Sequence, residues 1–352
     1  MISLGAPEVS ETGIEHVARL LEDGLLSTGG VVAEFEERFS SFVGRTHGVA
    51  VASGSVALEL ALEASFEEGD KIALSPYNCG SMLYAVLRTD LVPIFVDAEI
   101  ETAALDPEAL AEIATPLDGV VSSHLFGHPA RIREIKDVCE QMGATLVDDF
   151  AQAPGATVHG DPAGSLGAVG VCSFGATKNV TTAEGGMVVT DDPTIAEYVS
   201  DQRTNTDDVT PPPRSVRMND IEAAIGLSQL ETYNKTITRK RSVAAIYREQ
   251  LSDLSIELLP VQPWATDVYH AFPVLAPDAD RLADHLHKQD IGTSRLYETP
   301  LHEYDAAPPT DSEYPITEQL AEEVVLLPIH GQVTDSQAQT IADAVAGFYA
   351  NQ

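Results

Sequence analysis

From residue 48 onward, short apolar runs alternate with segments whose apolar residues recur every three or four positions. The runs predict strands over 48–52, 71–75, 92–97, 119–123 and 144–148, and the periodic segments predict helices over 56–62, 79–88, 107–114 and 131–142. Strands at 169–174 and 186–190 follow. Strands alternating with helices in one long run argue for an α/β fold, a mostly parallel sheet with helices on both faces. In such sheets ligands sit at the carboxyl ends of the strands. The first forty-five residues predict two helices, 15–26 and 32–43, broken by a Ser27-Thr28-Gly29-Gly30 turn. After a helix at 193–202, the polar, Pro-rich stretch 203–213 reads as an exposed loop. Asn219 is then placed to cap a long helix, 220–251, expected to break near Asn234. Its small apolar face, 223–227, suits either close core packing or a homodimer contact. Beyond Pro260 the pattern predicts strand 269–275, helix 279–289, strand 293–297 and helix 336–349, a smaller α+β unit. The expected division is a large domain, 1–250, and a small one, 251–352.

Composition supports two domains. The chain has 352 residues, 44% of them hydrophobic, enough for a sizeable core. Twenty Lys and Arg against 55 Asp and Glu give a net charge of −35, which opposes nucleic-acid binding, since that affinity rests on Lys and Arg. The acid is spread along the chain and reads as a solvated surface, as expected of a high-salt, halophilic cytoplasm where screening relieves self-repulsion. No apolar run approaches the ~18–20 residues that span a bilayer, and the amino terminus lacks a signal-peptide pattern, so no membrane association and a cytosolic location are expected. The three cysteines, 79, 139 and 172, show no metal spacing and read as small buried thiols, with no disulfide. No HExxH or similar pattern occurs, and no metal site is expected.

The chemistry concentrates at one lysine. Lys178 lies in a small polar loop between the runs 169–174 and 186–190; the other five lysines, 71, 136, 235, 240 and 288, lie in stretches that read as solvated. A loop lysine alone is more often solvated. An amine presented between two strands, however, suits Schiff-base formation with an aldehyde cofactor. Asp149, at the end of the 144–148 run, could hold the protonated pyridine nitrogen that such a cofactor needs as an electron sink. Ser53-Gly54-Ser55 sits between a strand and a helix start, where unpaired backbone N–H groups offer a phosphate site, though most such turns are simple caps.

These segments together resemble the DegT/DnrJ/StrS family of pyridoxal 5'-phosphate (PLP)-dependent sugar aminotransferases. The likeness rests on Ser53-Gly54-Ser55-Val56-Ala57-Leu58, Pro93-Ile94-Phe95-Val96-Asp97, His124-Leu125-Phe126-Gly127-His128-Pro129, Asp149-Phe150-Ala151-Gln152, Ser173 to Asn179 with Glu184-Gly185-Gly186, and Leu327-Pro328-Ile329-His330. It runs from about residue 2 to 348. The resemblance implies the fold type I PLP architecture. It also implies Lys178 as the catalytic lysine, Asp149 on the ring nitrogen, Gln152 on the phenolic oxygen, and Gly54, Ser55 and Ser173 on the phosphate. The family's interface asparagine, which reaches the neighbouring subunit's phosphate, aligns with Ser215, so a homodimer with shared active sites is implied. Tyr77-Asn78-Cys79 departs from the family, leaving Cys79 or Tyr77 as the residue stacking on the ring, and Phe150 and Gly175 depart as well. By position in the family, His302 is the histidine expected to face substrate.

The implied reaction moves an amino group from an amino acid such as L-glutamate to a keto-sugar, nucleotide-linked, for amino-sugar biosynthesis. The same constellation could serve a transaminase or lyase acting on a cyclitol or amino acid, or be retained by a non-catalytic regulatory protein. Lys178 argues against the branch in which histidine replaces the lysine and dehydration replaces amino transfer.

Overall fold

The computed structural model describes residues 1–204 and 212–350. The core of the loop expected at 203–213 lies outside the described residues. Strands form where apolar runs of four or five residues meet turn residues: β1 (His47–Val51), β2 (Lys71–Leu74), β3 (Val92–Phe95), β4 (Gly119–Ser123), β5 (Thr145–Asp149), the short β6 (Thr157–Val158) and β7 (Asp161–Pro162), then β8 (Val169–Ser173) and β9 (Gly186–Thr190). Seven of them make one sheet in the order β1-β9-β8-β5-β4-β2-β3. β9 runs against β1 and β8, while the remaining neighbours pair in parallel. The mostly parallel sheet expected from the alternation is therefore present.

Successive residues on a strand face opposite sides, and the core divides accordingly. Val121, Val147 and Val171 pack with Leu58 and Leu62 of the helix Gly54–Ser65 on one side. Their neighbours Val120 and Leu146 pack with Ile132, Ile135 and Cys139 of the helix Ile132–Met142 on the other. Burial on both faces explains the near-continuous apolar runs.

Asn219 caps the helix Asp220–Leu251 through a reciprocal capping box with Glu222. The helix is unbroken, which corrects the interruption expected near Asn234. Asn234 is exposed, so it costs the helix at most about 0.7 kcal/mol of propensity. Tyr233 and Ile237 on either side are buried in the core and outweigh it. The small face at 223–227 is consumed inside the chain: a Cβ on Gly226 would lie 2.7 Å from the Phe35 ring and 2.9 Å from Thr182. Core packing accounts for that face. The first half of the helix belongs to the Phe35 and Phe39 cluster, whereas Val243, Ala244, Tyr247 and Leu251 belong to a second cluster with the carboxyl-terminal elements.

Those elements include β10 (Glu257–Leu258), β11 (Ala265–Thr266), β12 (Phe272–Leu275) and β13 (Val324–Leu327). β10, β12 and β13 form an antiparallel sheet, and β11 joins β6 and β7. The strand expected at 293–297 is absent; Ser294 makes a single bridge to Leu326. Tyr297 there takes a left-handed φ of 59°, which no strand residue adopts. Tyr269, at φ 47°, likewise delays the strand expected from 269 until Phe272. The helix Pro315–Glu323 and β13 lie outside the sequence expectations. At the amino terminus Ile2 bridges Ile291 and packs into the second cluster, so the first residues cross to the carboxyl-terminal unit. Among the described residues no helix is long and apolar enough to cross a membrane.

Candidate active site

The loop between β8 and β9 is pinned on both sides of Lys178. Lys178 N–H donates to the Gly175 carbonyl at 3.0 Å, and Thr182 N–H to the Phe174 carbonyl at 3.0 Å. Asn179 Nδ2 donates to the Val268 carbonyl at 3.2 Å, while its Oδ1 accepts from Lys240 Nζ at 2.6 Å. With its neighbours fixed, the half-buried Lys178 side chain lines a cavity of about 890 Å³ together with Gln152, Cys79, His270, Tyr297 and Lys240. Burial lowers the Lys178 amine below its ordinary value, and the nearby Asp149 carboxylate partly opposes that shift. The proton on this amine is loosened, as a proton carrier requires.

Asp148 and Asp149 end β5 on opposite faces. Asp148 is fully buried and structural: it meets His124 Nε2 at 2.9 Å and accepts from the Gly164 and Leu166 N–H groups. Asp149 turns to the other side, where Ser123 Oγ donates to Oδ2 at 2.8 Å and Ala151 N–H to Oδ1 at 3.0 Å. Asn78 Nδ2 supports Ser123 at 3.0 Å, completing a relay that fixes the carboxylate. Desolvation raises the Asp149 pKa despite those bonds and the Lys178 charge. A cationic ring N–H is the kind of partner that would repay this burial.

Gln152 is held at both ends. Its Oε1 accepts from the Phe126 N–H at 2.7 Å, and its Nε2 donates to the Tyr297 hydroxyl at 2.9 Å, leaving one amide hydrogen uncommitted. Both partners sit at φ 59°. Phe126 and Gly127 form a left-handed turn whose carbonyls accept from the Ala271 and Val268 N–H groups, so the same turn carries the segment bearing His270. His270 Nδ1 is buried without a hydrogen-bond partner among the described residues. Burial and the Lys178 and Lys240 charges lower its pKa well below the ordinary value, leaving a neutral imidazole.

The corner opposite is built for close approach. Ser53 caps the helix Gly54–Ser65 by accepting from Val56 N–H at 3.2 Å. A Cβ on Gly54 would lie 2.5 Å from Ser173 Cβ, so the helix start abuts the end of β8. The unpaired N–H groups of a helix N-terminus and the Ser173 hydroxyl share this corner, with Ser55 next along the helix, a favourable place for a phosphate.

Several sequence expectations fall elsewhere. Tyr77 is fully buried, tilted 53° to Phe126 and edge-on to Tyr297, and its hydroxyl donates to the Leu296 carbonyl. Cys79 is the one of the pair that lines the cavity; it is exposed, which corrects the expectation of a buried thiol. Lys240, expected in solvent, is buried, and its amine is pushed down to about 8 by desolvation. Its covering of loop residues explains the error: helical periodicity does not show what packs over a helix. His302 packs 4.7 Å from Tyr314 and near Phe95, away from the cavity wall, where His270 and His330 stand instead. Ser215 is exposed and does not line the cavity of its own chain. Tyr297 and Lys240 carried no signal in periodicity or motif, because each acts through a tertiary bond. Among the described residues no group of three or more His, Cys, Asp or Glu is placed to hold a metal ion.

The sheet order and a lysine, a carboxylate and an amide gathered at strand ends define a fold type I PLP enzyme, and the residues present fit that cofactor. The loosened amine, the buried carboxylate in want of a cation, the spare amide hydrogen and the phosphate corner correspond to its four reactive or ionic parts. A profile of the DegT/DnrJ/EryC1/StrS aminotransferase family matches residues 7–346, and the chain belongs to that family of PLP-dependent aminotransferases. Among curated relatives, a dTDP-3-amino-3,4,6-trideoxy-alpha-D-glucose transaminase of Streptomyces venezuelae is 31% identical over 94% of this chain and 90% of its own. GDP-perosamine synthase of Escherichia coli O157:H7 is 28% identical over 98% of each. The crystal structure of the aminotransferase TlmJ from Streptoalloteichus hindustanus superposes with a TM-score of 0.94 at 28% identity, covering 100% of both chains.

Proposed function

We propose that this chain transfers the amino group of L-glutamate to a keto-sugar carried on a nucleotide, in cytoplasmic amino-sugar biosynthesis. The observation that carries the reading is the placement of Lys178 on a cavity roomy enough for two different substrates in turn. The sugar nucleotides named for the two curated relatives support the acceptor class. PLP, when bound, supplies an electron sink for the carbanion left when a proton leaves the carbon bearing the amino group. Asp149 holds the proton on the ring nitrogen. Gln152 directs its spare hydrogen to the phenolic oxygen, and Gly54, Ser55 and Ser173 hold the phosphate. Lys178, with its lowered pKa, would take the proton from the donor's α-carbon and return it to the carbon on the other side of the amino nitrogen, then reverse the transfer for the acceptor. Cys79, which lines the cavity, would face the ring there and leave that face softer and smaller than an aromatic residue would.

A homodimer with shared active sites is part of this reading. Ile14, Leu21, Leu25 and Leu26 expose 52–59% of their area in one stretch beside the Thr28-Gly29 turn, an apolar surface that a second copy would cover. Ser215, exposed in its own chain, would then serve the partner's phosphate. The packing further supports a division of the chain inside the helix Asp220–Leu251, near residue 240, with Ile2 on the carboxyl-terminal side.

The test is spectroscopic. Purified protein loaded with PLP should lose its visible absorption on addition of L-glutamate and release 2-oxoglutarate in equal amount, whereas Lys178→Ala should do neither. A panel of keto-sugar nucleotides should then restore the band. A wild-type protein whose spectrum glutamate leaves unchanged would refute the donor, and failure of every sugar nucleotide would refute the acceptor.

A further inference from the structure

The cavity continues past Lys178. It runs outward along the helix Asp220–Leu251, lined by Lys240, Arg239, Thr236 and Lys235, with the amino-terminal arm around Ala6 and Glu8 also on its wall. Residues 235 and 239 are one helical turn apart, so their side chains stand in one row, roughly 5–6 Å apart at Cβ. Charge makes this row unusual. The chain carries 20 basic side chains against 55 acidic ones, yet among the described residues the cavity is lined by the cations Lys178, Lys235, Arg239 and Lys240 and by a single carboxylate, Glu8. Three of the six lysines converge on it. A protein this acidic repels anionic ligands over most of its surface, and a cavity of opposite sign draws them to one place.

Two of the four cations are already engaged. Lys178 does the proton work, and Lys240 spends its amine on Asn179 and on the Tyr269 carbonyl, at 2.6 and 3.1 Å. Lys235 and Arg239 remain. Arg239 is held rigidly: Nε donates to the Val333 carbonyl at 2.6 Å and Nη1 to Asp335 Oδ1 at 2.6 Å. Its Nη2 is buried and has no hydrogen-bond partner among the described residues. Asp335 is 77% exposed, so solvent weakens its hold on the guanidinium charge. Lys235 is exposed at the outer part of the cavity. An oriented guanidinium nitrogen in want of an acceptor, with a second cation one turn away and the Thr236 hydroxyl beside them, matches two linked phosphates.

We propose that Lys235 and Arg239 form the subsite for the diphosphate of the acceptor, the outer anchor of a substrate whose sugar reaches inward to Lys178. This rests on the nucleotide-linked reading above and adds the residues that select it. L-glutamate carries no phosphate, so the subsite serves the second half-reaction alone.

The test is a calorimetric titration of the PLP-loaded protein, at fixed ionic strength, with UDP, GDP and dTDP, each beside its nucleoside. The wild type should bind at least one diphosphate at least tenfold tighter than the matching nucleoside. Lys235→Gln should weaken that diphosphate about five- to tenfold, Arg239→Lys should weaken it as well, and nucleoside binding and the glutamate half-reaction should stay unchanged in both. Equal diphosphate affinity in wild type and Lys235→Gln, or equal affinity of wild type for nucleoside and diphosphate, would overturn the subsite. If Lys235→Gln aminates a keto-sugar nucleotide with wild-type KM, the subsite falls while the acceptor reading stands. If the wild type binds no diphosphate and aminates no sugar nucleotide, both fall.

Discussion

Gly54→Ala tests the geometry of the phosphate corner with one added methyl group. The new Cβ would lie 2.5 Å from Ser173 Cβ, 2.8 Å from its Oγ and 3.1 Å from its Cα. Ordinary contact needs roughly another ångström. Ser173 cannot yield, because it pairs with Gly186 across the antiparallel β8–β9 ladder in the middle of the sheet. The start of the helix Gly54–Ser65 must therefore move, drawing its N–H groups away from Ser173. Overpacking of this kind costs about 1–3 kcal/mol. Alanine returns about 0.4–1 kcal/mol by restricting the unfolded chain. The net is roughly 1–2 kcal/mol, and because the displacement falls at the phosphate corner it appears in cofactor affinity, about 5–30-fold. Fluorescence titration of the apoprotein with PLP measures this, with a thermal melt of the apoprotein alongside. A variant that binds PLP as tightly as wild type and melts higher would show that Gly54 is an ordinary helix-start glycine and that the corner is not assembled as described.

Three further outcomes follow from the same site. Asp149 opposes the burial-driven lowering of the Lys178 pKa, so Asp149→Asn should move the midpoint for acylation of Lys178 by acetic anhydride to lower pH. The free amine exists above the pKa, so the rising limb of labelling must shift downward; a shift upward, read by peptide mass spectrometry, refutes the coupling. Tyr297→Phe removes the hydroxyl that accepts from Gln152 Nε2, at a cost of about 1 kcal/mol, and should reduce kcat about fivefold with little change in melting temperature. An unchanged kcat would mean that Phe126 alone orients the amide. A net charge of −35 leads us to expect a melting temperature that climbs with molar KCl as self-repulsion is screened, and a flat or falling melt would remove the halophilic reading.

The large sheet was legible because its strands are buried on both faces. Runs such as Val120 to Ser123 and Val169 to Ser173 announce themselves whatever their neighbours, and the helices between them keep a clear period. Legibility failed where one residue's backbone overrides its pattern. Residues 293–297 read as a strand by composition, but Tyr297 at φ 59° ends any ladder there, and its hydroxyl meets Gln152, far away in sequence. Asn234 erred in the opposite direction: its weak propensity was visible, and the packing of Tyr233 and Ile237 that overrules it was not.

The site shows the same division between what is local and what is brought together by the fold. Asp149 and Lys178 stand out as candidates because each ends or follows a strand, and a parallel sheet delivers strand ends to one edge. Gly54 and Ser173 could be paired only through the family likeness, although the structure shows that they touch. Lys240 was misread for a reason that also explains its role. On the helix it looks like any other polar position; inside the fold it reaches across to Asn179, the residue after Lys178, and joins the loop to the helix near the change from one core cluster to the other. A burial that costs an amine its proton affinity, down to about 8, is repaid by holding Lys178 in place. The loop that carries Lys178 is thus tied down by a second, buried lysine, and a motif built on sequence neighbours records only the first of them.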